Sequence, residues 1–249
     1  MSTSESRWSK DIPVKLIKNN EIHVWRAFLE LSSTQRQYFM GILSSDELKR
    51  MKRFHFKRDE DRFIAARGIL RVIMSYYIEK SPEEISFEYT SQGKPIVTEN
   101  PGSDTIHFNL SHSNRFALYA VTFNSSIGID IEFIRTDAVV EQIAQKFFSQ
   151  NEIRAIQNIQ EKNRTKLFFQ YWTRKEALLK AAGDGISSQM CQFDVSLINE
   201  KKFLPISYHP KNEIQSQWYV RDLMSFENYV AAIAVEGGNK DLLFWNYSH

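Results

Sequence analysis

Two carboxylates, Asp130 and Glu132, stand two residues apart in Ile127-Gly-Ile-Asp-Ile-Glu-Phe133. Strand alternation puts both on one face, with Ile129, Ile131 and Phe133 on the other. Side chains so placed sit ~7 Å apart along a strand, and carboxylates that close repel unless neutralised. A divalent cation relieves the repulsion, and oxygen-only ligands suit magnesium or manganese, with positions left for water and phosphate. The same pattern also fits an ordinary half-exposed strand. A second pair, Glu176 and Lys180, lies four residues apart in the stretch from Trp172 to Ile186. Ala177, Leu178, Leu179, Ala181 and Ala182 favour a helix there, and Gly183 stops it. Glu176 and Lys180 then share one helix face, where an isolated surface pair contributes only ~0.2–0.5 kcal/mol.

Cations cluster further forward. From Lys49 to Arg58 the chain carries six Lys or Arg and no acid, interleaved with Met51, Phe54 and Phe56. Arg50, Arg53 and Arg58 could meet a multiply charged phosphate ligand, and the same run could equally be a solvated helix face. Lys94 sits between Gly93 and Pro95, in a turn that can present one cation. Ser111 and His112 follow each other in Ile106-His-Phe-Asn-Leu-Ser-His-Ser113. Neighbours on a strand face opposite ways, so adjacency argues against a serine–histidine nucleophile pair and favours phosphate or hydroxyl contacts from a strand end.

The elements that must position these groups alternate along the chain. Glu21 to Leu29 reads as a first strand. Ser44-Ser-Asp-Glu opens a helix. Phe63, Ala66, Ile69, Leu70, Ile73 and Tyr77 recur at helical spacing behind Asp59-Glu-Asp and predict a long core helix through Ile78. Strands are expected at 85–89, 106–113, 116–123 and 127–133, and a turn at 100–104. Helices are expected from Val139, from Ser149, whose Glu152 completes a capping box, and from about Lys166 to Ala182. Strand-like runs follow at Phe193–Leu197, Trp218–Val220 and 228–235. Strand, helix and strand thus occur twice, with the break near 124–127, which divides the chain into halves 1–125 and 126–249.

The composition bounds the class. A chain of 249 residues with 42 % apolar residues, 18 Phe, 10 Tyr and 5 Trp is that of a soluble globular protein. A net charge of +2 supplies no global field for nucleic acid. The single cysteine, Cys191, excludes an internal disulfide and a Cys-rich zinc site. The polar first residues lack a signal-peptide core, and the longest apolar run, Tyr229 to Val235, is too short for a bilayer. These features predict a cytoplasmic protein that binds neither nucleic acid nor membrane.

Gly93-Lys94-Pro95, Phe108-Asn-Leu-Ser-His-Ser113, Gly128-Ile-Asp-Ile-Glu132, Phe147-Phe-Ser149 and Trp172-Thr-Arg-Lys-Glu-Ala-Leu-Leu-Lys180 occur in that order. Together they resemble the motifs of Sfp-type 4′-phosphopantetheinyl transferases, over most of the chain from about Lys49 to Ile186. The resemblance implies an α+β fold of two similar halves about a pseudo-twofold axis, with the site at their interface. It implies transfer of the phosphopantetheine arm of coenzyme A, the co-substrate, to a serine of an acyl or peptidyl carrier protein domain, with release of 3′,5′-ADP. Asp130, Glu132 and Glu176 match the family's metal carboxylates, for Mg²⁺ or Mn²⁺. Lys180 matches the lysine that contacts phosphate and protonates the leaving group. Glu176 matches the group that takes the serine proton, directly or through a water. Lys94, Ser111 and His112 match contacts to coenzyme A. Arg50, Arg53 and Arg58 are the basic candidates of the first half, with Arg62 and Arg67 in reserve. Asn114 stands where relatives often carry glycine. An acidic carrier domain suits a basic rim between Phe133 and Leu167, where Lys146, Phe147, Phe148, Arg154 and Lys162 lie. Two halves in one chain predict a monomer. The rival reading is a non-enzymatic nucleotide- or phosphate-binding module built on residues 49–58, which leaves the three carboxylates without a task.

Overall fold

In the structure, a computed structural model, residues 8–9, 17–97, 105–135, 140–186, 188–209, 217–226 and 228–248 are described. The turn expected at 100–104 and most of the first twenty residues lie outside them, as does Val139.

Two four-stranded sheets organise the chain. The first runs β10 (Asp241–Tyr247), β1 (Glu21–Phe28), β5 (Phe116–Phe123), β4 (Ile106–Ser113). The second runs β6 (Ile127–Phe133), β9 (Tyr229–Glu236), β8 (Trp218–Phe226), β7 (Leu204–Ile206). All their pairings are antiparallel except β1 with β10, which are parallel. A small hairpin joins β2 (Phe87–Tyr89) to β3 (Pro95–Val97). The division at 125 and 126 leaves β10 on the second segment, although it is hydrogen-bonded into the first sheet.

Each sheet is covered on both faces. The first packs one face on α1 (Ser33–Ile42), α2 (Ser45–Met51) and the 22-residue α3 (Lys57–Ile78), through Trp25, Ala27, Tyr119 and Val121 against Ile64, Ile69 and Ile73. The second packs on α4 (Val140–Phe147), α5 (Gln150–Asn158) and the 22-residue α6 (Glu161–Ala182), through Val230, Ala232 and Ala234. The remaining faces meet one another: Ile22, Val24, Leu118 and Ala120 bury against Ile127, Ile129, Ile131 and Ile233. The order of layers is helix, sheet, sheet, helix, so the fold is α+β with two sheet-containing halves. Burial on both faces explains why β5 and β9 read as continuous apolar runs rather than alternating ones.

Capping is local. Ser44 caps α2 with Glu47 in a reciprocal box, and Ser149 does the same with Glu152 for α5. The six core positions expected along α3 are all buried. α6 starts at Glu161, more than one turn before the expected Lys166, and stops at Gly183, whose φ of 75° is left-handed.

The sequence reading lacks α1, β3, β7 and β10. The run Phe193–Leu197 is no strand: it follows a 3-10 turn, Ser188–Gln192, and forms a turn of its own. Lys175 and Arg174 of α6 explain it. The Lys175 ammonium donates to the carbonyl oxygens of Met190 and Phe193 (2.7 Å each), and Arg174 Nη1 donates to that of Val195 (3.0 Å). Those carbonyls are therefore not available to a ladder.

Candidate active site

The carboxylates of β6 meet α6 because of one glycine. A Cβ on Gly128 would stand 2.1 Å from the Ala177 carbonyl oxygen and 2.4 Å from the Ala181 amide nitrogen. Strand and helix backbones touch there, with no room for a side chain between them. Asp130 is one strand repeat beyond that contact, and Glu176 and Lys180 each precede one of the two touching residues. Lys180 Nζ lies 2.7 Å from Asp130 Oδ1 and donates to Ser111 Oγ at 3.1 Å.

The β4 strand binds the other side of β6 through side chains rather than through a ladder. Asn109 Oδ1 accepts from the Ile129 amide (2.9 Å), Ser111 donates to Asp130 Oδ1 (2.8 Å), and Ser113 donates to Glu132 Oε2 (2.8 Å) while accepting from the Phe133 amide (3.1 Å). Alternation puts these three polar residues on one face of β4. They join the edges of the two sheets and fix both carboxylates of β6. Beyond them, Asn114 turns β4 into β5 with φ 52°, a left-handed conformation that asparagine or glycine adopts at low cost.

Charge is concentrated at this junction. Burial pushes the Glu176 carboxyl up to about 7, helped by Asp130 and Glu132 and opposed by Lys180. Burial and Asp130 also raise Glu132, against the hydrogen bond from Ser113. Asp130 Oδ2 and Glu176 Oε1 are buried and have no hydrogen-bond partner.

A groove of about 580 Å³ opens beside the carboxylates and is walled by both halves. Arg50, Arg67, Lys94, Ser111, His112 and Lys180 are among its lining residues, with Phe54, Phe63 and Tyr89 supplying apolar surface. Arg53 is exposed on the loop between α2 and α3 and is not part of this lining. Arg58 faces a separate hollow at the start of α3 and pairs with Asp59 at 3.3 Å. Arg62 lines the same hollow and donates to Asn114 Oδ1 at 2.8 Å. Arg67 is nearly buried against Glu47, 2.6 Å away, and also donates to the Tyr89 hydroxyl. His112 opens into the groove, where desolvation, and then the Lys180 and Arg62 charges, disfavour its imidazolium.

The Lys94 ammonium crosses the groove mouth. It donates to the carbonyl oxygens of Lys180 (2.7 Å) and Ile127 (2.9 Å). The first is one of the last-turn carbonyls of α6 that lack a helical partner, where a cation is favoured. Burial and the neighbouring Lys180 draw its pKa down to about 8.

Comparison with known proteins decides the family. A family model described as "4'-phosphopantetheinyl transferase superfamily" matches residues 126–234, and one for the N-terminal region of such transferases matches residues 30–124. The transferase HetI of Nostoc sp. is 37 % identical over 240 residues, 96 % of this chain and 98 % of its own length. The chain belongs to the 4′-phosphopantetheinyl transferase superfamily. Sfp of Bacillus subtilis is 31 % identical, covering 72 % of this chain and 79 % of its own length. The mouse L-aminoadipate-semialdehyde dehydrogenase-phosphopantetheinyl transferase is 26 % identical over 79 % of this chain and 68 % of its own length. The protein is therefore an enzyme, a 4′-phosphopantetheinyl transferase, and the reading as a non-enzymatic binding module is not favoured.

Within the transferase, the helix motif divides its labour. Glu176 and Lys180 face the junction, while Arg174 and Lys175 face away. Lys175 is fully buried with Glu152 at 3.0 Å, and Arg174 grips Asp222 with two bonds of 2.7 and 2.8 Å. No cluster of three or more His, Cys, Asp or Glu is close enough to hold a metal among the described residues. The two buried carboxylate oxygens without partners nevertheless fit a hard cation that completes its shell with water. Asn109, Ser113 and Asp184, which lines the groove, were not singled out from the sequence. The alternation of Asn109, Ser111 and Ser113 was the available signal for the first two. On the rim proposed for carrier contact, Lys146, Arg154 and Lys162 are exposed, Phe147 is half-buried, and Phe148 is core.

Proposed function

We propose that this transferase moves the 4′-phosphopantetheine arm of coenzyme A to the serine hydroxyl of an apo acyl or peptidyl carrier protein. The observation that carries the reading is the junction itself: three interacting carboxylates behind Lys180, which pairs with Asp130 and lines a basic groove shared by both halves. The serine oxygen bonds to the phosphorus that bears pantetheine, the bond from that phosphorus to the bridging oxygen breaks, and 3′,5′-ADP leaves. Asp130 and Glu176, with Glu132 beside them, would hold a magnesium or manganese ion. When bound, such an ion neutralises charge that gathers on the phosphate oxygens.

The chain's own residues supply the rest. Glu176, whose carboxyl burial and the neighbouring Asp130 push up to about 7 while no cation is bound, would accept the serine proton, directly or through a water. Lys180 would contact phosphate and protonate the departing oxygen. Arg50, His112 and Ser111 line the path for the phosphates of coenzyme A, with Arg53 and Arg58 as outlying cations. Lys94 shapes the groove mouth. We further propose a cytoplasmic monomer, since one chain supplies both walls of the groove and coenzyme A is a cytoplasmic metabolite. No described helix is long and apolar enough to cross a membrane.

The test is intact-mass spectrometry of apo carrier protein incubated with the enzyme, coenzyme A and Mg²⁺. The expected result is a gain of one phosphopantetheine arm, lost with EDTA and in Asp130→Ala. Metal-dependent transfer that survives Asp130→Ala would overturn the carboxylate assignment.

A further inference from the structure

The groove is polarised. Arg50, Arg67, His112 and the Lys180 ammonium supply positive or donor groups. The opposite sign enters near the end of α6, whose Lys180 carbonyl is met by Lys94. Just past that end lies Asp184, the one carboxylate among the lining residues. Its amide donates to the Leu179 carbonyl at 2.9 Å, which fixes the backbone. Its Oδ2 accepts from the hydroxyl of Tyr208, a buried residue packed edge-on to Phe193 with ring centres 4.9 Å apart. Burial and the Asp184 charge keep that hydroxyl protonated, so Tyr208 remains a donor. Lys94 meets the carbonyls of Lys180 and Ile127, so the negative group left in this part of the groove is the Asp184 carboxylate.

A phosphate is repelled by such an end, and a hydrogen-bond donor is attracted to it. We propose that Asp184, oriented by Tyr208, accepts from the exocyclic amine of the nucleotide base and thereby selects an aminopurine over its keto counterpart. The inference rests on the reading of the groove as the coenzyme A site. The phosphates then lie toward Arg50, His112 and Lys180, and the base lies between the apolar groove surface and the end of α6. A keto base presents an acceptor where the amine stood, and an acceptor opposite a carboxylate is repelled. Asp184 is a specificity residue for binding and takes no part in bond breaking.

The experiment measures equilibrium binding by calorimetry, without a carrier protein. The probes are 3′,5′-ADP, its deaminated (inosine) counterpart and its 2′-deoxy counterpart. Native enzyme is expected to prefer 3′,5′-ADP over the inosine nucleotide by about ten-fold or more, the order set by one hydrogen bond to a charged acceptor. Asp184→Ala should bring that ratio close to one, and Tyr208→Phe should lower it part of the way. Thermal melts check that both variants are folded. A ratio unchanged in folded Asp184→Ala overturns the assignment, as does a loss that falls on the 2′-deoxy nucleotide instead. If none of the three nucleotides binds the native enzyme, the groove reading itself falls, and this inference with it.

Discussion

Replacing Gly128 with alanine tests the link between packing and chemistry at one atom. Ordinary contact for a Cβ begins at 3.4 Å, and the built Cβ stands 2.1 Å from the Ala177 carbonyl oxygen, a shortfall of about 1.3 Å. Both close atoms belong to the α6 backbone, so no side-chain rotation relieves the clash. Strand and helix must part. Overpacking of this kind costs about 1–3 kcal/mol, which for a chain of this size lowers Tm by roughly 5 °C. The functional cost is larger. The strand carries Asp130, and the helix carries Glu176 and Lys180, so the parting moves the reacting groups against each other by about 1 Å. Misplacement of that size lowers rate on the order of 100-fold. Calorimetry and single-turnover transfer to an apo carrier protein read the two effects. Gly41→Ala is the control: nothing lies within 4 Å of its built Cβ, and its helix position predicts a gain of about 0.5–1 kcal/mol. A Gly128→Ala enzyme with the parent Tm and a rate within about two-fold of the parent would refute the argument.

Three further outcomes follow from the same structure. Burial holds the His23 imidazole at about 4 against an ordinary 6.5. The unfolded chain therefore binds more protons between those values, and stability falls as pH drops through that window, by about 3 kcal/mol in all. Urea midpoints measured against pH should show the slope, His23→Gln should flatten it, and an unaltered curve would remove His23 as its source. Glu47 lies buried between Arg67 at 2.6 Å and Arg71 at 2.7 Å, so Glu47→Gln should cost about 3–5 kcal/mol in chemical denaturation, and a loss below about 1 kcal/mol would contradict the buried-pair account. Two lysines of α6 should separate cleanly: Lys175→Met lowers Tm strongly by stranding buried Glu152, whereas Lys180→Met moves Tm far less and lowers transfer by about 100-fold or more. The reverse pattern would exchange their roles.

Much of this arrangement was legible in residue order. The apolar spacing of α3, the capping boxes at Ser44 and Ser149 and the alternation through Asp130 and Glu132 are local signals, and each corresponds to an observed element. Less legible was α1, a polar helix whose only clear mark is the box between Ser32 and Gln35. The strand β10 has apolar and aromatic residues behind Gly237-Gly238, but its pairing with β1, at the other end of the chain, leaves no local mark. The run at Phe193–Leu197 has strand-like residues, but buried cations of a distant helix take its carbonyls. The basic run 49–58 looked like one surface, yet the loop between α2 and α3 sends Arg50 to the groove and Arg58 to a different hollow. For β10 and for Phe193–Leu197, what the sequence hid was a partner far away in the chain.

The pairing of β1 with β10 has a consequence for synthesis. On the ribosome, β1, β5 and β4 emerge while the strand that flanks β1 has yet to be translated. Until it arrives, β1 presents an open row of amides and carbonyls, a template for pairing with another chain. The second sheet, β6 to β9, has all its strands by residue 236, before β10 begins at residue 241. Only four residues separate β9 from β10, so the edge of β1 stays open to misassembly until both sheets receive their last strands together. A nascent-chain chaperone acting on this enzyme would find its target at that edge.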